Sequence, residues 1–185
     1  GIGHVRYATA GSAKTHLSLK KEAQPFLRDH GRPWKRYSIA FNGNLANYSK
    51  LRQDILDEGY ILDTNVDTEV IMHLISLGLK NLANMDLTGK YIKPDLFEIS
   101  KYLMNKMEGA YNIFIQFADG NLVVIRDHLA FKPLVWGETE EFYAIASESV
   151  ALEKIGITKT HSVNQGTCMI FNKSGVIQKN VFPSD

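Results

Sequence analysis

Three polar clusters carry the residues with chemical potential: residues 3–11, 42–44 and 65–69. Each falls at the end of a predicted element, where side chains and unpaired backbone groups can converge on a ligand. Arg6 sits in the run GIGHVRYATAGS, inside a predicted strand whose other residues are mostly apolar. Its guanidinium therefore faces solvent, joins a structural ion pair, or binds a ligand anion, and a carboxylate matches its forked geometry. Asn42-Gly43 offers a side-chain amide next to a backbone N–H, the donor pair that acyl transfer aims at a developing oxyanion. The same dipeptide is also an ordinary turn. Asp67 either holds a ligand ammonium or simply complements the dipole of the helix it begins. Spacing alone leaves both readings open at each of these positions.

The elements that must position these residues are written in periodicity and punctuation. Residues 1–8 read as a strand, and residues 11–34 as mostly irregular. Residues 37–41 form a short apolar run, and Asn42-Gly43 predicts a tight turn at its end, with exposed backbone amides. Asn47 is placed as the N-cap of a helix with Leu51, Ile55 and Leu56 on one stripe and Gly59 as its stop. A second helix is predicted over residues 67–79, behind an acidic first turn, and a third begins around Pro94 and closes at Gly109. Residues 80–93 are read as a surface connection. From Tyr111 the pattern turns to strands: 111–117 and 121–126 about Ala118-Asp119-Gly120, then 142–146, a short helix near 149–154, and a hairpin of 167–172 with 176–181. Strands, then helices, then hairpins favour an antiparallel α+β layering over an alternating parallel one.

Composition narrows the function classes. The 185 residues, 44% hydrophobic and 22% charged, suit one domain with a single core. Lys and Arg total 21 against 20 Asp and Glu, so no global field recruits a polyanion and nucleic acid is excluded as a partner. The one cysteine, Cys168, excludes an intramolecular disulfide and a multi-cysteine zinc site. It fits a reducing cytoplasm, and neither metal nor cofactor is called for. No apolar run approaches the about 20 residues that span a bilayer, so no membrane association is expected. The chain opens on Gly-Ile-Gly rather than Met, which predicts a preceding segment rather than a native start or a signal peptide.

Taken in order, GHVRYATAGS, EAQPF, FNGNLANY, VDTEVIMHLI, GAYN, RDHLAFKPLVWG and ASESVALE resemble the class II, N-terminal-nucleophile glutamine amidotransferases over nearly the whole chain. Within that family the pattern is most similar to the glutaminase domain of amidophosphoribosyltransferases, enzymes of purine biosynthesis; glucosamine-6-phosphate synthases are a looser match. The resemblance implies a four-layer αββα sandwich of antiparallel sheets, with glutamine hydrolysed to glutamate through a thioester and ammonia delivered to an acceptor site. It implies that Arg6 binds the glutamine α-carboxylate, that Thr9 lines the same pocket, that Asp67 holds the α-ammonium, and that Asn42 and Gly43 form the oxyanion hole. The implied nucleophile is a cysteine at the mature amino terminus, activated by its own α-amine.

No cysteine stands there in this sequence, and Cys168 lies in the predicted strand TCMIF without an adjacent base, so a buried structural role is expected for it. The domain is accordingly expected to span residues 1–185, to lack its amino-terminal catalytic segment, and to be inactive alone. Phe41 stands where the family commonly has histidine, and RPWKR, residues 32–36, reads as an insertion. Arg126-Asp127 reads as a structural ion pair, and His4, His73 and His128 as packing or surface histidines. The expected partners are glutamine, a synthase or phosphoribosyltransferase domain or subunit, the missing amino-terminal segment, and further copies of the chain. A non-catalytic amino-acid-binding module and a ligand-free scaffold are the competing readings.

Overall fold

The computed structural model describes residues 1–5 and 22–182. Among these, a six-stranded sheet forms the centre. Its strands are β1 (Phe26–Arg28), β2 (Tyr37–Leu45), β5 (Gly109–Phe117), β6 (Leu122–Arg126), β10 (Thr167–Asn172) and β11 (Gly175–Asn180), hydrogen-bonded in that order. Every pairing is antiparallel. The odd-numbered residues of β2 and β5, including Ile39, Phe41, Tyr111, Ile113 and Ile115, point to one face. There they bury against α1 (Tyr48–Asp57), α2 (Asp67–Asn81) and α3 (Leu96–Lys106). Between α2 and α3 runs a small hairpin of β3 (Asn84–Met85) and β4 (Tyr91–Ile92).

The opposite face carries Phe114, Leu122, Val124, Met169 and Phe171. It packs on Trp136 and Ile145 of a second antiparallel sheet, ordered β8 (Tyr143–Ala146), β7 (Val135–Glu138) and β9 (Thr160–Ser162). Trp136 meets Phe171 edge to face at 6.3 Å between ring centroids. The far face of β7 presents Gly137, where a Cβ would lie 2.5 Å from Ile157, in the segment just after the short helix α4 (Ser149–Glu153). Helices, sheet, sheet and helix segment thus stack in the expected αββα order.

Several elements depart from expectation for identifiable reasons. The described residues 1–5 carry no strand, and the rest of the first predicted strand lies outside the described residues. The region read as irregular contains β1, and the connection 80–93 contains the β3–β4 hairpin. Asn42-Gly43 is not a turn: β2 runs straight through it to Leu45, with Asn42 opposite Asn112 and Gly43 opposite Tyr111. Glycine is required there by proximity rather than by φ, since a Cβ would sit 2.5 Å from the Ala110 carbonyl oxygen and 2.6 Å from the Tyr111 Cβ.

Asn47 occupies the N-cap position of α1, but its side chain bonds elsewhere, accepting from the Glu108 N–H and donating to the Lys106 carbonyl. It therefore ties α1 to the end of α3. The stop at Gly59 is as expected: with φ +84, Gly59 donates to Leu56 and Tyr60 donates to Ile55, the paired bonds of a Schellman ending. Pro94 precedes α3 rather than opening it, and Asp95 is the cap, accepting from the Phe97 N–H at 2.7 Å.

Candidate functional site

The chemistry-bearing end of β2 is built by its hydrogen-bond parity. The bonds from Ala118 N–H to the Arg36 carbonyl and from Ala46 N–H to the Glu108 carbonyl fix which β2 residues face β5, namely the even-numbered ones. The odd-numbered residues turn their N–H groups toward the other edge. There β1 pairs only as far as Ile39. Beyond it the Phe41 N–H donates to Gln24 Oε1 at 2.5 Å, and the Leu45 N–H donates to Asp67 Oδ2 at 3.0 Å. The Gly43 N–H lies between them on the same edge, with no hydrogen-bond partner among the described residues. Two side chains have closed the flanking donors and left one open.

Asp67 reaches this edge because it is the first residue of α2, whose N-cap, Val66, is extended and supplies no side-chain cap. The helix instead secures its approach through Glu69, which is buried. Glu69 accepts from the Asp63 N–H, the Thr64 N–H and the Thr64 hydroxyl at 2.6 to 2.8 Å. Burial pushes the Asp67 carboxyl above its ordinary pKa, and the Leu45 N–H pulls it partly back. With Oδ2 committed to Leu45, Oδ1 is the oxygen available to a cation.

Asn42 faces the inter-sheet side, where its Nδ2 donates to Ser147 Oγ at 3.3 Å, just past β8. Behind it Asn112 is fully buried and donates to the Pro133 carbonyl at 2.9 Å, while its Oδ1 has no partner among the described residues. Arg126 stands opposite Asn112 on β6. The expected Arg126–Asp127 ion pair is replaced by backbone chemistry, because adjacent strand residues point to opposite faces. Arg126 donates to the carbonyls of Val163, Ala130 and Lys132. Asp127 is buried and accepts from the N–H groups of Tyr111, Leu129 and Ala130 at 2.7 to 3.0 Å. Asp127 therefore anchors the strand that Gly43 lies against.

Of the residues singled out in the sequence, Asn42, Gly43 and Asp67 come together at this end of β2; Arg6 and Thr9 lie outside the described residues. Gln24 and Ser147 belong to the motifs EAQPF and ASES, yet nothing local distinguished them, since their significance depends on which strand edge they meet. Cys168 is fully buried in β10, opposite Ile125, with the Ser100 hydroxyl 3.1 Å from its sulfur. Burial pushes its thiol up to about 12. His73 packs on Tyr60 at 4.9 Å and His128 stacks on Phe182 at 4.4 Å, in keeping with packing roles. Among the described residues no group of histidine, cysteine and carboxylate side chains is arranged to hold a metal, and no helix is long and apolar enough to cross a membrane.

This layered fold, with its free amide at a strand edge, is of the N-terminal-nucleophile hydrolase type, and the chain belongs to the glutamine amidotransferase family: a family profile described as a glutamine amidotransferase domain matches residues 12–154. Within that family it is similar to amidophosphoribosyltransferases. It is 38% identical over 176 residues to the chloroplastic amidophosphoribosyltransferase 2 of Arabidopsis thaliana, covering 95% of this chain and 28% of that protein. It is 33% identical over 177 residues to the amidophosphoribosyltransferase of Archaeoglobus fulgidus, covering 96% and 34%. Among solved structures, the glutamine phosphoribosylpyrophosphate amidotransferase of B. subtilis, complexed with ADP and GMP, superposes with a TM-score of 0.76 at 29% identity, covering 98% of this chain and 34% of that one. The chain thus spans about a third of the length of these relatives.

Proposed function

We propose that this domain binds glutamine at the Gly43 end of β2 and hydrolyses its side-chain amide, supplying ammonia to a synthase or phosphoribosyltransferase partner. The observation that carries the proposal is the single open amide of Gly43, flanked by amides that Gln24 and Asp67 have closed. A tetrahedral intermediate of amide hydrolysis concentrates charge on one oxygen, and a preorganised N–H aimed at that point is the strongest aid a protein offers it. Asn42 supplies the second donor from its side-chain amide, with Ser147 fixing the rotamer. Asp67 takes the α-ammonium on Oδ1, and Arg6 takes the α-carboxylate beside Thr9.

The attacking thiol is not Cys168, which is sealed in the core with its ionisation suppressed. We accordingly assign the nucleophile to a cysteine outside these 185 residues and expect the chain alone to be inactive. The domain, as proposed, runs from residue 1 to 185 as one unit and works in the cytoplasm or, as the names of the plant relatives indicate for those proteins, in a plastid.

Glutamate release by the complete gene product is the deciding assay. Turnover that is lost on Asn42→Ala, with glutamine binding retained, supports the reading. Glutamine binding without any turnover, with or without the partner, would instead identify a non-catalytic amino-acid-binding module.

A further inference from the structure

Six residues back along β2, roughly 20 Å away at about 3.3 Å per residue, the opposite end of the strand borders a different feature. A cavity of about 140 Å³ is lined by Arg28, His30, Lys35, Tyr60, Ser76, Leu79 and Lys80. Three of these side chains are formal cations. Arg28 and Lys35 are half-buried there, and neither has a carboxylate partner among the described residues.

Two of the nearby carboxylates are already committed. Asp29 pairs with the Arg36 guanidinium at 3.1 Å, and Glu69 is held by the Asp63 and Thr64 amides. Among the described residues Lys35 has only aromatic support, from the rings of Trp34 at 4.9 Å and Tyr91 at 5.6 Å. Lys80 lies in the last turn of α2, whose dipole offers about half a negative charge against three positive ones. That compensation is too small to balance the site. His30 adds a directed donor, because its Nδ1 accepts the Arg32 N–H at 3.0 Å and so leaves Nε2 to carry the proton. Desolvation, then the charges of Lys35, Arg32 and Arg28, hold its pKa below the ordinary value, with Asp29 acting in the opposite direction.

We infer that this cavity is a binding site for a terminal phosphoryl group, held by the Arg28 guanidinium, the Lys35 and Lys80 ammoniums and the His30 Nε2–H. A guanidinium fork with two mobile ammoniums and a directed imidazole N–H suits a compact tetrahedral dianion better than a planar carboxylate, which one fork would satisfy. The turn Arg32–Arg36, read from sequence as an insertion, contributes Lys35 and braces it, since Arg32 stacks on Tyr91 at 4.7 Å. The segment therefore builds one wall of the site.

The test is titration of the protein with inorganic phosphate, a sugar monophosphate and citrate, followed by amide NMR shifts at constant ionic strength. Saturable shifts confined to the amides of residues 28–35 and 76–80 are expected for both phosphates, weakened on the order of tenfold by Lys80→Gln, an exposed position whose change should leave the fold intact. Arg28→Gln should abolish them, with circular dichroism verifying the fold. A response to the sugar phosphate alone would identify an esterified ligand; a response to both would identify the phosphoryl group itself. Shifts spread over all surface lysines, or stronger binding of citrate than of either phosphate, would overturn the assignment.

Discussion

Asp67 Oδ2 accepts the Leu45 N–H at 3.0 Å, so the first residue of α2 and the last residue of β2 share a proton. This single contact separates two roles of one carboxylate. Asp67→Asn retains an oxygen that can accept from Leu45 but removes the charge. Stability should change by less than about 1 kcal/mol, while glutamine affinity falls on the order of tenfold or more. Asp67→Ala removes the acceptor as well and should cost about 1–3 kcal/mol in chemical denaturation. Glutamine affinity left unchanged in the Asn variant would remove Asp67 as the counterion.

The same group sets a pH dependence. Its native pKa is raised above the ordinary 3.8 by burial. Between those two values the folded chain holds a proton that the unfolded chain has released, so its contribution to stability is complete below 3.8 and declines as pH rises through the window. An ammonium ligand favours the ionised form, so glutamine should bind more tightly as pH rises across the window and release a proton on binding. Calorimetry in buffers of different ionisation enthalpy measures that release directly. An affinity independent of pH there contradicts the proposed contact.

Gly43→Ala tests the close approach of two strands. Its Cβ would meet backbone and Cβ atoms of Ala110 and Tyr111 at 2.5 to 2.7 Å, none of which is a flexible side-chain end. A loss of about 1–3 kcal/mol or more is expected in urea unfolding. Gly31→Ala, where nothing lies within 4 Å, should stay within about 0.5 kcal/mol.

Asp127→Asn probes the anchor behind the site. Asp127 Oδ1 accepts from Leu129 and Ala130, and Oδ2 accepts from Tyr111. An amide oxygen can serve the first two, but the new NH₂ then faces the Tyr111 N–H, donor against donor. The expected cost is about 2–4 kcal/mol, with faster hydrogen exchange at Tyr111 than at Leu129.

Cys168 should ignore thiol reagents. With its thiol pushed up to about 12 and its sulfur fully buried, it should react with a disulfide reagent at pH 8 only at the rate of unfolding. In the complete protein Cys168→Ala should leave glutaminase turnover unchanged.

The parts legible in the sequence are those fixed by local rules. The β5–β6 hairpin follows from alternation around Ala118-Asp119-Gly120, and α2 follows from apolar residues at helical spacing behind Asp67 and Glu69. Asn42-Gly43 misled for an equally clear reason. Its turn signal is local, whereas the need for glycine comes from Tyr111, which is distant in sequence. Strands of three or four residues, such as β1, β7 and β9, are too short to show a period and exist because a neighbouring sheet receives them. At the site, the residue types of Asn42, Gly43 and Asp67 were readable, but the closing roles of Gln24 and Asp67 depend on the parity of β2, which only pairing determines.

The two side chains that close the β2 edge have a further effect on the company the protein keeps. A strand with a row of free amides templates the addition of another chain, and natural sheets suppress this with charge or cover. Gln24 and Asp67 occupy the donors on either side of Gly43, so an extended peptide finds no ladder to join and only a single-point ligand can dock. Removing both, as in a Gln24→Ala, Asp67→Ala pair, would turn a reactive notch into an adhesive edge and carry the protein toward strand-to-strand association.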